Sequence, residues 1–205
     1  MLRRGGKVPR PILDQARALS ALAAVAAGFF KRPSAANAFA AHEAGRQARL
    51  LEAAAVASLE RSGPDREDWP AVLRLLRQAA EEAGWAVEET ARFEGVAAGG
   101  KAGAGIGSGF LVKMSSALRD AAGEVVLALS AIEDVQDCAD RIILAKKKAL
   151  EVEMLNRSAT AAALEEPNVV AGLKLREISR RLSASAEVLQ QAADRVGEAL
   201  MRISK

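Results

Sequence analysis

Residues 69–93 read WPAVLRLLRQAAEEAGWAVEETARF. Apolar residues recur at Trp69, Val72, Leu76, Ala79, Ala83, Ala86 and then Phe93, in multiples of three and four. That spacing lays one apolar stripe along a helix. A second stretch repeats every seven residues, at Leu175, Leu182, Leu189, Val196 and Ile203. Seven-residue repeats belong to helices that pack side by side along their length. The two stretches lie about a hundred residues apart, which points to a duplicated helical unit. Both predict an all-α helical bundle.

Composition agrees. The chain has 205 residues, enough for one sizeable core or two small ones. Half the residues are hydrophobic, yet only 3% are aromatic, so the core must be built from aliphatic side chains and alanine. Threonine occurs only at Thr90 and Thr160. Abundant alanine and few β-branched residues favour helix, because alanine loses no side-chain entropy there. The net charge of +3 comes from interspersed charges of both signs, well short of a nucleic-acid-binding surface. Basic residues cluster at Arg3, Arg4, Lys7 and Arg10 and at Lys146, Lys147 and Lys148, with no aromatics between them for bases to stack on. No nucleic-acid partner is expected.

Cys138 is the single cysteine, so no internal disulfide can form. With no convincing export signal, this places the protein in the cytoplasm as an expectation. The basic start and the apolar run Ala18–Phe30 imitate a signal peptide. Against that, Asp14 and Arg17 precede the run, Lys31 and Arg32 close it, and the small residues Ala38 and Ala40 lie far downstream. Ile12, Ala16, Leu19, Ala23, Ala26 and Phe30 instead share one face of a mature first helix. No stretch has the roughly 18 to 20 uninterrupted apolar residues of a membrane span.

Six helices are predicted. After a basic tail over residues 1–10, the first runs from about Pro11 to Phe30. Pro33 breaks it and Ser34 caps a second, reaching about Leu59. Ser62, Gly63, Pro64 and Asp65 stop the chain and restart it, and the third helix continues to Phe93. These form a first three-helix repeat over residues 11–94. Residues 95–109 are a Gly/Ala-rich linker. A second repeat over residues 110–205 holds a helix from Phe110 to near Ser130, one joined closely to it and ending near Asn156, and a long last helix from Val169 to Ile203 after the break at Glu166, Pro167 and Asn168. No segment reads as a strand.

Catalytic motifs do not emerge. Gly95 to Lys101 has the spacing of a phosphate-binding loop, but Ala102 stands where a magnesium-binding hydroxyl is needed and a helix, not a strand, precedes it. His42 is the only histidine and reads as a surface or interface residue; Cys138 reads as a small packing residue. Zinc of the usual His/Cys type is excluded by count, and a carboxylate-bridged metal enzyme lacks its Glu-x-x-His pairs. The protein is expected not to be an enzyme. Glu133, Asp137 and Asp140 fall on one helical face, with Ile132, Val135, Ala139, Ile142 and Ile143 largely opposite, and Asp134 adds to the cluster. Such oxygens can hold a hard cation. The plainer reading is a solvated face with Asp137 paired to Arg141. Glu81, Glu82, Glu88 and Glu89 form a second acidic face, with Arg77 four residues before Glu81.

The segment Pro64-Asp65-Arg66-Glu67-Asp68-Trp69 and the heptad helix behind it resemble the Pro-x-Asp-Arg-Glu-Asp-Ile segment of PhoU-like phosphate transport regulators, in the branch that accompanies low-affinity Pit transporters. Ala139-Asp140-Arg141-Ile142 is similar to that branch's Glu-x-x-Ala-Asp-x-Ile element, and Lys174-Leu175-Arg176-Glu177-Ile178 to its closing Lys-Trp-Lys-Glu-Ile helix. The resemblance covers most of the chain from about Pro11; the glycine linker is the main departure. It implies a PhoU-like antiparallel helical bundle of about six helices, as two three-helix repeats. It also implies a cytoplasmic, non-enzymatic accessory protein at the inner face of the membrane, whose partner is a phosphate transporter. The family carries metal clusters on acid-x-x-x-acid pairs. Here Asp140 matches one acid with Gln136 at its partner position, Glu187 matches another with Ser183, and Glu81 a third with Arg77. In helix two both positions are lost, to Ala41 and Gly45. A divalent or iron-type metal is left three isolated acids, so no cofactor is expected. A second hypothesis is a self-associating helical structural protein with no phosphate role, a homo-oligomer paired through the Leu175–Ile203 seam.

Overall fold

The computed structural model describes residues 8–60, 69–93 and 108–203. The basic residues Arg3, Arg4 and Lys7, the Ser62–Asp65 break, the segment Asp65, Arg66, Glu67 and Asp68, and the Gly95–Lys101 stretch of the linker lie outside the described residues. Among the described residues there are six helices and no strand. They are α1 Arg10–Lys31, α2 Ala35–Glu60, α3 Trp69–Phe93, α4 Ser108–Ser130, α5 Val135–Glu165 and α6 Val169–Ile203.

Local chemistry sets most ends. Pro9 and Pro11 flank the start of α1, where a missing N–H costs nothing. The Ser34 hydroxyl accepts from the Asn37 N–H at 3.2 Å and caps α2. Asp134 caps α5 by accepting from the Asp137 N–H at 3.1 Å, and Asn168 caps α6 by accepting from the Ala171 N–H at 3.1 Å. One end differs from expectation: α5 passes Asn156 and runs to Glu165. The Ser158 hydroxyl folds back onto the Met154 carbonyl, and Ala159 and Ala163 are buried, so packing carries the helix to the Pro167 break.

Each half packs its own three helices, with α1 against α2 and α3, and α6 against α5 and α4. The halves join through α1 on α4 and α3 on α6. α2 and α5 are thus the outer flanks of a central four-helix layer. The seams enter this core as expected. Leu175, Leu182, Leu189 and Val196 are buried, as are Trp69, Val72, Leu76, Ala79, Ala83 and Ala86. Ile203 is only partly buried, and Phe93 is 39% exposed; the Phe93 ring lies under the Lys174 ammonium at the end of the bundle. α1 is long and apolar enough to cross a membrane by length and composition, and half of its apolar window is buried against the other helices.

Two further expectations are corrected on α5. Glu133 lies in the turn before the helix, so it does not stack with Asp137 and Asp140. Val135 and Ile143 are exposed, at 50% and 63%. The inward face is made of smaller residues, Cys138, Ala145, Ala149, Val152, Ala159 and Ala163.

Candidate functional site

The acids that the sequence singles out are placed in different clefts. Glu81 lies in a cleft between α1, α2 and α3, lined also by Gln15, Ala41, His42, Gly45 and Trp85. Arg77 occupies this cleft as a fixed cation, 3.1 Å from Glu52 on α2 and 3.4 Å from Glu81 on its own helix. His42 stands at the rim, its Nδ1 3.5 Å from Glu88. Gln15 is fully buried, and neither its Nε2 nor its Oε1 has a partner in the protein. The enclosed part of the cleft amounts to about 20 Å³, room for about one water molecule.

Glu187 and Ser183 line a separate cleft between α5 and α6, opposite Ala149, Glu153 and Asn156. Asp140 is remote from it. Lys146 of α5 bonds Asp194 of α6 at 2.6 Å, which fixes the antiparallel register. Asp140 therefore lies level with the end of α6, roughly 20 Å along the axis from Glu187 at the usual helical rise. Its carboxylate accepts from the Gln136 amide at 3.1 Å. Asp137 pairs with Arg141 at 3.1 Å, and Arg141 reaches on to Glu124 of α4 at 3.2 Å.

These residues do not fit a metal cluster. The α2 positions, Ala41 and Gly45, carry no oxygen donor, and the Arg77 guanidinium opposes any added cation. The remaining acids stand apart. Among the described residues no group of three or more His, Cys, Asp and Glu side chains is arranged to hold a metal ion.

A different centre forms where α3 meets α6. Arg181 lies 3.2 Å from Glu82, 3.5 Å from Glu89 and 3.3 Å from Glu177, and its guanidinium covers the Trp85 ring at 4.9 Å. The Ser185 hydroxyl, buried one turn on, donates to the Ala79 carbonyl at 2.7 Å. Sequence reasoning missed Arg181: Glu177 is one turn away on its own helix, but Glu82 lies 99 residues away and Glu89 is on that same distant helix, and no local spacing records those pairings.

No catalytic constellation appears among the described side chains that the sequence nominated. Cys138 is fully buried, and burial, with the neighbouring Asp137 charge, pushes its thiol up to about 11. A thiol held that far above neutrality is a packing group, not a nucleophile. His42 has its carboxylate at the surface, but no nucleophile is brought to it.

No family model matches this chain, and no curated sequence matches it at a significant level. A solved structure does. It is described as a PhoU-like protein from Shewanella oneidensis MR-1, determined at 2.00 Å resolution. The two are 19% identical, superpose with a TM-score of 0.65, and cover 94% of this chain and 99% of that one. A likeness of that extent establishes a shared fold: an all-α, PhoU-like helical bundle.

Proposed function

We propose that this chain is a non-enzymatic regulator of inorganic phosphate transport, of the PhoU-like branch that accompanies Pit transporters, and that it works by binding a membrane transporter from the cytoplasmic side. The observation that carries this reading is the fold likeness, which spans nearly the whole of both chains. The Pro64–Trp69 segment adds to it. The chemistry of the sites is consistent with a binding role. The one cysteine is buried and the nominated acids are held by arginines or kept apart.

Regulation by a bundle needs no reaction. A rigid helical face that prefers one conformation of a transporter shifts its population toward that conformation. A differential affinity of about 1.4 kcal/mol changes the ratio tenfold. Here the docking contacts fall to exposed Arg and Glu side chains on the helices.

Deletion of the gene tests this directly. Phosphate uptake and polyphosphate content are expected to change, and cross-linking in cells is expected to recover a phosphate permease whose yield depends on phosphate supply. Unchanged uptake together with no permease recovered would end the proposal. The rival reading relies on the Leu175–Ile203 seam pairing between chains. Leu175, Leu182, Leu189 and Val196 are already buried within this chain, so that seam is not free to pair.

A further inference from the structure

We propose that the cleft between α5 and α6 is a binding site for a small linear diamine or polyamine, one primary ammonium group of which enters between Glu153 and Glu187. The proposal stands independently of any transporter.

The observation is a mismatch of charge along one groove. Lys146 of α5 bonds Asp194 of α6 at 2.6 Å. Glu153 lies seven residues on along α5 and Glu187 seven residues back along α6, about two helical turns in an antiparallel pair. The two carboxylates therefore come level across the groove, and both line the cleft. An acid faces an acid where the neighbouring pairing sets a cation against an acid. The corresponding groove of the first half, between α2 and α3, is matched: Glu52 meets Arg77 at 3.1 Å and His42 meets Glu88 at 3.5 Å.

Nearby groups do not repair the mismatch. Arg157 bonds Glu153 from the same helix, with its own side chain 75% exposed at the rim. Glu187 has no cation partner among the described residues, so the lining keeps one uncompensated negative charge. One turn along, the Asn156 amide oxygen is buried at the wall of the same cleft with no donor among the described residues. A buried acceptor without a donor is costly. The cleft thus calls for positive charge and for N–H or O–H donors together.

Chemistry narrows the occupant. The volume is about 430 Å³, room for a whole small molecule. An anion would meet Glu187 and find only Arg157, whose charge is already matched. A divalent cation needs several oxygens converging on one point, and among the described residues no group of three such side chains is arranged for it. A sugar or a base has no aromatic ring in this lining to stack on, and a quaternary ammonium wants the same rings. A primary ammonium brings one charge and three donors, enough for Glu187 and the second oxygen of Glu153. From Glu187 to Ser183 is about 6 Å along α6, a length that a four-carbon chain spans. A second ammonium on such a chain reaches the level of Ser183 and Asn156.

Isothermal titration calorimetry of the full chain with 1,4-diaminobutane and with spermidine is expected to show saturable one-to-one binding. Glu187→Gln, at a position exposed in the fold, is expected to weaken both at least about tenfold with an unchanged melting temperature in the absence of amine. Glu133→Gln, in the turn before α5, is expected to leave binding as it was. Saturating spermidine is expected to raise the melting temperature of the native chain and not that of Glu187→Gln. The proposal is overturned if neither amine binds, if Glu187→Gln binds as well as the native chain, or if Glu133→Gln weakens binding equally, which would mean diffuse attraction. It is equally overturned if tetramethylammonium binds as well as the diamine, or if magnesium chloride binds with the same dependence on Glu187.

Discussion

Arg181 gathers three carboxylates and one aromatic face with a single guanidinium, and it does so where the two halves of the chain meet. A fork of donors can serve several acids at once, which a lysine cannot. Arg181→Met keeps the stem over Trp85 and removes the charge, leaving three acids crowded. We expect a loss of about 1 to 2 kcal/mol by urea unfolding, with Arg181→Lys recovering only part of it. Glu177 illustrates a pH effect. Hydrogen bonds from Arg180 hold its carboxyl below the ordinary range, the charges of Arg180 and Arg181 add to this, and burial opposes it. A carboxyl lowered in the folded state adds stability at neutral pH, and that stability is lost as pH falls through the lowered value. The gap in melting temperature between the native chain and Glu177→Gln is therefore expected at pH 7 and should close toward pH 3. Cys138 gives the third residue-scale expectation. Its buried thiol should resist a thiol reagent at pH 8 and react fully once urea unfolds the chain; fast labelling of the folded protein would contradict its placement.

The elements differ in how they use their faces. α1, α3 and α6 place large aliphatics inward, as a periodic stripe predicts. α2 and α5, the flanks, place alanines inward: Ala41, Ala48 and Ala55 on one, Ala145, Ala149 and Ala159 on the other. Small inward residues let a flank helix approach closely, and they leave its larger residues outside. One close approach is at the α5–α6 turn. A Cβ added to Gly172 would collide with the Ala163 carbonyl oxygen, and that atom belongs to backbone that cannot swing away. Gly172→Ala is expected to cost about 1 to 3 kcal/mol by forcing the two helices apart, read as a lower midpoint in thermal unfolding. Gly197→Ala is the control: its added Cβ finds only the Ile142 side chain, at 3.7 Å, and should be nearly neutral.

At the scale of the whole molecule, two three-helix units share one core through α1 on α4 and α3 on α6. Cross-half contacts hold the units in register: Arg181 with Glu82 and Glu89, Ser185 with Ala79, and Lys174 with Phe93. Cohesion therefore comes from burial and from these side chains. With the nominated acids dispersed between two clefts and the end of the bundle, stability should not depend on a metal. A chelator is expected to leave the melting temperature unchanged, and elemental analysis of the purified chain to show no stoichiometric divalent or iron-type ion. A drop of several degrees on chelation would contradict the fit of these residues.

Helix positions were readable along the chain because capping, proline breaks and apolar spacing act over three to seven residues. The seams at Trp69–Ala86 and Leu175–Val196, the Ser34 cap and the Asp137–Arg141 pair all came from that range. The end of α5 did not, because alanine packing outweighed the polar residues near Asn156. Its inverted faces were also hidden: when alanine lines one side and leucine the other, periodicity does not say which side is wet. Tertiary packing placed Arg77 among the acids of one cleft, separated Asp140 from Glu187, and joined Arg181 to Glu82, 99 positions away. Those contacts depend on which helices meet and in what register, and that is an energy of the assembled core that no local spacing encodes.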